Sequence, residues 1–362
     1  MWSYEKLNAV HLELSSRCNA ACPGCPRHLR NSPNVDPNLQ QRDISIGEFK
    51  SWFSPDALAK IENWIICGTH GDPITCKDLV EIVEYICQHS PGSIQINTNG
   101  GLRGTQFFSD LGRVLAENKL PDVNRAVIFS IDGLEDTNHL YRRQVKWDKV
   151  ISNIKAYVAA GGLAAWDFLR FSYNSHQVEE AEKLAKSLGV HFRLKNPFGV
   201  DGTGMPVYDK DYNLEYVINH WSEGDKEPYV PPHLGYVAPR PRLKTRQGCI
   251  ECNAFRNHHP PNHEKPMCEI YIDHLGNVQP CCFVGNKMYG PAYMEEATEV
   301  RGVQKAIGNR NNLYTYSLQE VLDNGALNMY SDSWKYKTIN QCWVQCGKQE
   351  GGDRLIDSLF VK

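Results

Sequence analysis

Residues 9–28 read AVHLELSSRCNAACPGCPRH, a short apolar run that gives way to three cysteines within eight positions. The run AVHLEL has the length of a strand, and the loop behind it carries Cys18, Cys22 and Cys25 in a CxxxCxxC spacing. Thiolate sulfur is a soft ligand for zinc or an iron–sulfur cluster. Structural zinc sites are closed by four protein ligands, yet the next cysteine along the chain is Cys67, and only His28 offers a fourth donor nearby. A loop after the first strand of a βα series lies at the carboxyl edge of the sheet, where active sites are built. Three cysteines at that edge without a fourth point to a cluster whose last iron is liganded by a substrate or cofactor.

Outward from this stretch, apolar runs alternate with helical periodicity to about residue 198. AVHLEL is followed by ISIGEFKSWF, NWIIC by CKDLVEIVEYIC, SIQINT by TQFFSDLGRVLAEN, RAVIFSI by WDKVISNIKAYVAAGG, and FLRFSY by QVEEAEKLAKSLGV; HFRLK closes the series. Val178, Ala181, Leu184, Ala185 and Leu188 share one helical face. Val150, Ile151, Ile154, Tyr157 and Val158 share another, before Gly161 offers a C-terminal cap. Such a series implies a parallel sheet with helices outside it; periodicity alone leaves open whether the sheet curls into a partial barrel.

The 362 residues, 41% of them apolar, suffice for two domains with real cores. A net charge of -3 gives no basic field for nucleic acid or an anionic membrane. No run of eighteen apolar residues and no secretory signal occurs, which predicts a cytoplasmic protein. Thirteen cysteines, an odd number in a chain of this size, fit metal ligation better than a disulfide framework. Periodicity fades from about 200, and five prolines in residues 228–242 mark a linker or strapped connection. The expected divisions are 1–200, a proline-rich linker over 201–245, a cysteine-rich segment over 246–348, and a tail over 349–362 that closes with a short helix.

The three-cysteine loop behind the first strand of a βα series resembles that of the radical S-adenosylmethionine (SAM) enzymes. The resemblance implies a partial (β/α)6 TIM-like barrel, α/β in class, followed by a small cysteine-rich SPASM/twitch-like domain. It assigns Cys18, Cys22 and Cys25 to a [4Fe-4S] cluster whose open iron is chelated by the amino and carboxylate groups of S-adenosyl-L-methionine. CGTHGDP, with Gly68, Gly71, Asp72 and Pro73, looks like the family's Gly-Gly-Glu-Pro loop, which receives the cofactor's amino group. It departs by Asp72 standing for glutamate and by Thr69 and His70 inserted between the glycines. INTNGG and FSIDG end the third and fourth strands at the same edge, so Asn97, Thr98, Asn99, Ser130 and Asp132 can bond ribose or substrate. One of Arg142 and Arg143 can hold the cofactor carboxylate, the other lying on a solvated face. Gly24 replaces the bulky residue usual before the third cysteine, which removes a neighbour of the adenine.

The segment with Cys268, Gly276 and Cys281 resembles the start of SPASM and twitch extensions, which carry auxiliary [4Fe-4S] clusters. A hairpin turning at Gly276 would bring its two cysteines together. At least one auxiliary cluster is expected, with Cys268 and Cys281 as its first ligands and the others drawn from Cys346, Cys342, Cys252 and Cys249. A structural zinc fits the paired cysteines too. Cys282 is expected to point away, and Cys67, Cys76 and Cys87 read as small buried apolar residues.

The family's chemistry implies that the reduced cluster cleaves the sulfonium of SAM to a 5'-deoxyadenosyl radical, which abstracts hydrogen from an unactivated carbon. A reduced flavodoxin or ferredoxin would supply the electron, and an auxiliary cluster could accept one from the substrate radical. Relatives with such extensions modify peptides or proteins by oxidation, crosslinking or epimerisation, or dehydrogenate amino sugars and cyclitols. Only seventeen residues precede Cys18, so recognition of a leader peptide would need another protein or another surface. The reading from another class is a non-catalytic iron–sulfur or zinc protein.

Overall fold

Six strands alternate with helices through the first 195 residues of the computed structural model: β1 (Ala9–Leu12), β2 (Asn63–Ile66), β3 (Ser93–Thr98), β4 (Arg125–Ser130), β5 (Leu163–Leu169) and β6 (His191–Lys195). The structure describes residues 1–197, 204–221, 249–255, 267–289, 295–336 and 339–348. The proline-rich stretch 228–242 and the expected closing helix lie outside them.

Side chains alternate across each strand. Trp64, Ile66, Ile94, Ile96, Val127, Phe129, Trp166 and Phe168 are buried, packed with the buried faces of helices Leu79–His89, Thr105–Glu117 and Trp147–Ala159. Each such side chain contributes roughly 1.5–3 kcal/mol by leaving water. The opposite face carries the polar groups Gln95, Asn97, Ser130, Asp167, Arg193 and Lys195. Capping is explicit at helix Ile46–Trp52, where Ser45 and Glu48 satisfy each other's backbone N–H groups. Gly161 adopts φ +88° just past helix Trp147–Ala159, the left-handed position predicted for it.

All six strands run parallel, in the order expected of a partial (β/α)6 barrel. The fifth strand differs from its predicted place at 168–173. It occupies Leu163–Leu169, where Trp166 and Phe168 face the helices. Phe171 and Tyr173 instead enter a small second core with Met205, Val207 and Ile218. Those residues belong to a hairpin of β7 (Met205–Tyr208) and β8 (Leu214–Ile218).

The cysteine-rich segment forms a two-stranded sheet between 249–250 and 347–348, and its other strands join the barrel sheet. After the two-residue β9 (Cys249–Ile250), its β10 (Glu269–Ile272) pairs in parallel with β1, Ala9 opposite Glu269 and Leu12 opposite Ile272. The antiparallel β11 (Val278–Gln279) extends the same sheet to eight strands. The hairpin turns at Gly276, φ +74°, as predicted. Ile270, Ile272, Val278 and Val284 thus join the barrel's hydrophobic core. Among the described residues, no helix is long and apolar enough to cross a membrane.

Candidate functional site

The loop after β1 is held on all sides by backbone contacts. Ser16 N–H donates to the Arg42 carbonyl, Ala21 N–H to that of Arg143, and Cys25 N–H to that of Cys22 at 3.3 Å. Gly24 has φ +75°, and a Cβ there would stand 3.0 Å from Met205 Sδ. The left-handed backbone disfavours a larger residue and the Met205 side chain crowds the position, in keeping with the glycine before the third cysteine.

Cys18, Cys22 and Cys25 line one cavity of about 190 Å³ at the carboxyl edge of the sheet. Hydrogen-bond donors converge on their sulfurs: Ala20 N–H at 3.3 Å and Asn99 Nδ2 at 3.7 Å from Cys18 Sγ, and Arg142 Nη1 at 3.8 Å from Cys22 Sγ. Burial raises all three thiols above their ordinary range, Cys25 to about 12. Such thiols ionise only when a cation is bound among them, and donors aimed at sulfur favour the thiolate form. This donor set fits a cluster. His28 is turned elsewhere, its Nε2 3.2 Å from the Ala20 carbonyl oxygen.

The cavity's other walls come from the ends of β2, β3 and β4: Cys67, Gly68, Thr69, His70, Gly71, Asp72, then Asn97, Thr98, Asn99 and Ser130. The two glycines are enforced by space. A Cβ on Gly71 would lie 1.9 Å from the Ser15 carbonyl oxygen, and one on Gly68 2.1 Å from that of Gly71. Pro73 starts the short helical turn Pro73–Thr75. Asp72 caps that turn by accepting from Ile74 N–H at 3.2 Å and fixes the end of β3 by accepting from Asn99 N–H at 2.8 Å. Burial raises its carboxyl above the usual range.

The two arginines separate. Arg142 lines the cavity, with Nε 2.6 Å from Asp132 Oδ2. Burial opposes its charge, but Asp132 and Cys22 more than offset that and keep the guanidinium protonated. Arg143 points away from the cavity. It bonds the Tyr208 carbonyl at 2.9 Å and pairs with Glu215 at 2.6 Å, so the expected solvated face is an ion pair to β8. Sequence reasoning missed Tyr141 and Ala20 in the lining and took Cys67 for a buried apolar residue, although it too lines the cavity. Cys76 and Cys87 are buried as predicted.

A second cluster of thiols lies in the cysteine-rich segment. Cys252, Cys281, Cys342 and Cys346 line one pocket, walled by Ile250, Phe283, Val284, Tyr330 and Trp334. Cys252 is raised well above its ordinary range by its hydrogen bond with Cys346 and by burial; burial pushes Cys342 to about 12. Cys268 is the correction to the predicted set. It lines a separate depression with Leu7, Asn8, Lys60 and Met267, where Asn8 Oδ1 accepts from its N–H at 2.8 Å. The hairpin aligns its two arms, but pairing with β1 commits the start of β10 to the barrel sheet. Cys282 does not line the thiol pocket, and burial raises its thiol above the ordinary range. Cys249 lies in β9, whose backbone pairs with Lys348; its side chain falls outside the described set.

No family model matches the sequence, and no curated protein matches it significantly. Among solved structures, Streptococcus suis SuiB bound to S-adenosylmethionine superposes with a TM-score of 0.52 at 13% identity, covering 89% of this chain and 67% of that one. SuiB bound to precursor peptide SuiA gives 0.51 at 12%, covering 89% and 66%. The anSMEcpe structure with bound AdoMet gives 0.51 at 14%, covering 96% and 89%. At these identities the likeness establishes the fold alone.

Proposed function

We propose that this chain is a radical SAM enzyme that modifies a peptide or protein. The observation that carries the proposal is the cavity at the carboxyl edge of the barrel that Cys18, Cys22 and Cys25 line together, with closely packed glycines in its wall and a charged arginine at its rim. Cys18, Cys22 and Cys25 would hold three irons of a [4Fe-4S] cluster. Gly68, Gly71 and the backbone around Asp72 would accept the methionyl end of SAM, and Arg142 would face its carboxylate. Asn97, Asn99 and Ser130 offer hydrogen bonds to ribose. When bound, the cluster and SAM supply one-electron cleavage of a sulfonium and thereby hydrogen abstraction from carbon.

The chain's own residues do the positioning. Asp132 fixes Arg142 by its Nε, leaving Nη1 turned toward Cys22. Asn99 spans Cys18 and Asn19, tying the end of β3 to the cluster loop. On the open face of the sheet, Asp167 bridges Arg193 and Lys195, a polar wall suited to a substrate with charged or amide groups. The precursor peptide bound to SuiB supports a peptide substrate. Cys252, Cys281, Cys342 and Cys346 are the proposed ligands of one auxiliary [4Fe-4S] cluster, and a flavodoxin or ferredoxin the proposed electron donor. Anaerobically reconstituted protein with SAM and dithionite should release 5'-deoxyadenosine, and its absence would sink the radical reading.

A further inference from the structure

We infer that Glu13, His70 and His274 form a buried binding site for one divalent transition-metal ion of the zinc type, made without thiols and sharing only His70 with the wall of the SAM-side cavity. The three side chains come from the end of β1, the glycine loop after β2 and the turn of the β10–β11 hairpin. Each offers a donor atom within 4.8 Å of the others. All three residues are essentially closed to solvent, at 0%, 2% and 0% exposure.

Two observations point to an ion. First, both ring nitrogens of His70 and both of His274 are buried without a hydrogen-bond partner. Buried polar atoms are nearly always satisfied, and the two Nδ1 atoms that face Glu13 ask for a missing partner. Second, the spacing is that of ligands around an ion. His70 Nδ1 lies 3.5 Å and His274 Nδ1 3.6 Å from Glu13 Oε2, too long for good hydrogen bonds. Donors at about 2.1–2.2 Å from a tetrahedral centre are about 3.4–3.6 Å apart.

Charge agrees. Glu13 accepts from His70 N–H at 2.6 Å, Gly71 N–H at 3.0 Å and the Tyr271 hydroxyl at 2.5 Å. Among the described residues no lysine or arginine forms an ion pair with it. A buried carboxylate needs a countercharge, and two imidazoles with one carboxylate are a donor set for zinc or ferrous iron. The Tyr289 ring stands 5.2 Å from both imidazoles and closes the site. His70 is one of the two residues inserted between the cavity glycines, and the insertion brings an imidazole to Glu13 beside the cavity.

The test uses the full chain with its iron–sulfur clusters reconstituted, incubated with Zn²⁺ alone and desalted. Elemental analysis should find about one zinc per chain, reduced at least tenfold in folded His274→Ala and Glu13→Gln. The zinc K-edge spectrum of the wild type should show a nitrogen and oxygen shell near 2.0–2.2 Å and no sulfur shell near 2.3 Å. Less than a tenth of a zinc per chain, a sulfur shell, or unchanged zinc in the two variants would each overturn the assignment. Should the variants not fold, the wild-type zinc count and spectrum decide it. No SAM is added, so the outcome does not depend on the proposed catalytic reading.

Discussion

Replacing the cysteines of the second segment one at a time separates the thiol pocket from the hairpin. Cys18, Cys22, Cys25 and Cys67 line the SAM-side cavity and four cysteines line the pocket; with the first three as the proposed cluster ligands, the reconstituted chain should carry two four-iron clusters, about eight irons. Cys281→Ala or Cys342→Ala removes a pocket ligand and should leave about four irons, with the cavity cluster intact. Cys22→Ala should also leave about four, now all in the pocket. Cys268→Ala should keep about eight, because its side chain lies among Leu7, Asn8 and Lys60. Its cost is the loss of one small buried group, about 1 kcal/mol. The assay is iron and acid-labile sulfide per chain after anaerobic reconstitution, with electron paramagnetic resonance of the reduced samples to tell the clusters apart. A fall to about four irons in Cys268→Ala, or about eight retained in Cys342→Ala, would refute the pocket assignment and restore the ligand pair predicted from the hairpin.

Three further outcomes follow from the geometry. Arg142→Gln leaves Asp132 buried without its 2.6 Å partner and should cost about 3–5 kcal/mol in urea unfolding. Adding Asp132→Asn should recover about 2 kcal/mol of that, and strict additivity would show that the two do not interact. Gly71→Ala puts a methyl 1.9 Å from the Ser15 carbonyl oxygen; SAM affinity should fall at least tenfold by equilibrium dialysis, and unchanged binding would remove the loop from the cofactor site. Burial pushes Glu269 up to about 7 from its ordinary 4.5, so folding favours its neutral form. That contribution is complete below about pH 4.5 and lost as pH rises through 7, about 3 kcal/mol in all. Urea midpoints of the cluster-free chain at pH 5 and pH 8 should therefore converge in Glu269→Gln, and an unchanged pH difference would refute the shift.

Local signals carried most of the barrel. SIQINT and HFRLK became strands with the predicted ends, because alternation and flanking turns are properties of a few adjacent residues. CxxxCxxC and the glycine pair were legible for the same reason. What stayed hidden depends on pairings remote in sequence. The contact of Cys268 with Asn8 spans 260 residues, and EIYI gives no sign that it will lie beside AVHL rather than head a separate domain. Arg142 and Arg143 follow one another at the end of a single helical turn, Asn138–Tyr141. Their opposite destinations are set by Asp132 on one side and Glu215 on the other, which no motif encodes. Glu13, His70 and His274 come from three segments and form a group only once β10 has taken its place.

That placement has a mechanical consequence. β1 is hydrogen-bonded on one side to β2, which leads into the glycine loop, and on the other to β10, whose hairpin ends at Cys281. The loop of Cys18, Cys22 and Cys25 therefore grows from a strand clamped in register between the carriers of its two neighbouring sites. Glu13 lies one residue beyond the described end of β1, and its N–H donates to the Ile272 carbonyl at 2.9 Å. The carboxylate thus meets the glycine loop through His70 and Gly71 and the hairpin through Tyr271. A slip of β10 by one residue would turn Tyr271 away from the face it shares with Glu13, and the pairing that aligns the hairpin also holds the glycine loop. Substitutions at the hairpin turn, such as Asp273→Ala, remove the acceptor of Leu275 N–H, Asn277 N–H and the Tyr289 hydroxyl. By this coupling they should weaken SAM binding without touching the cavity.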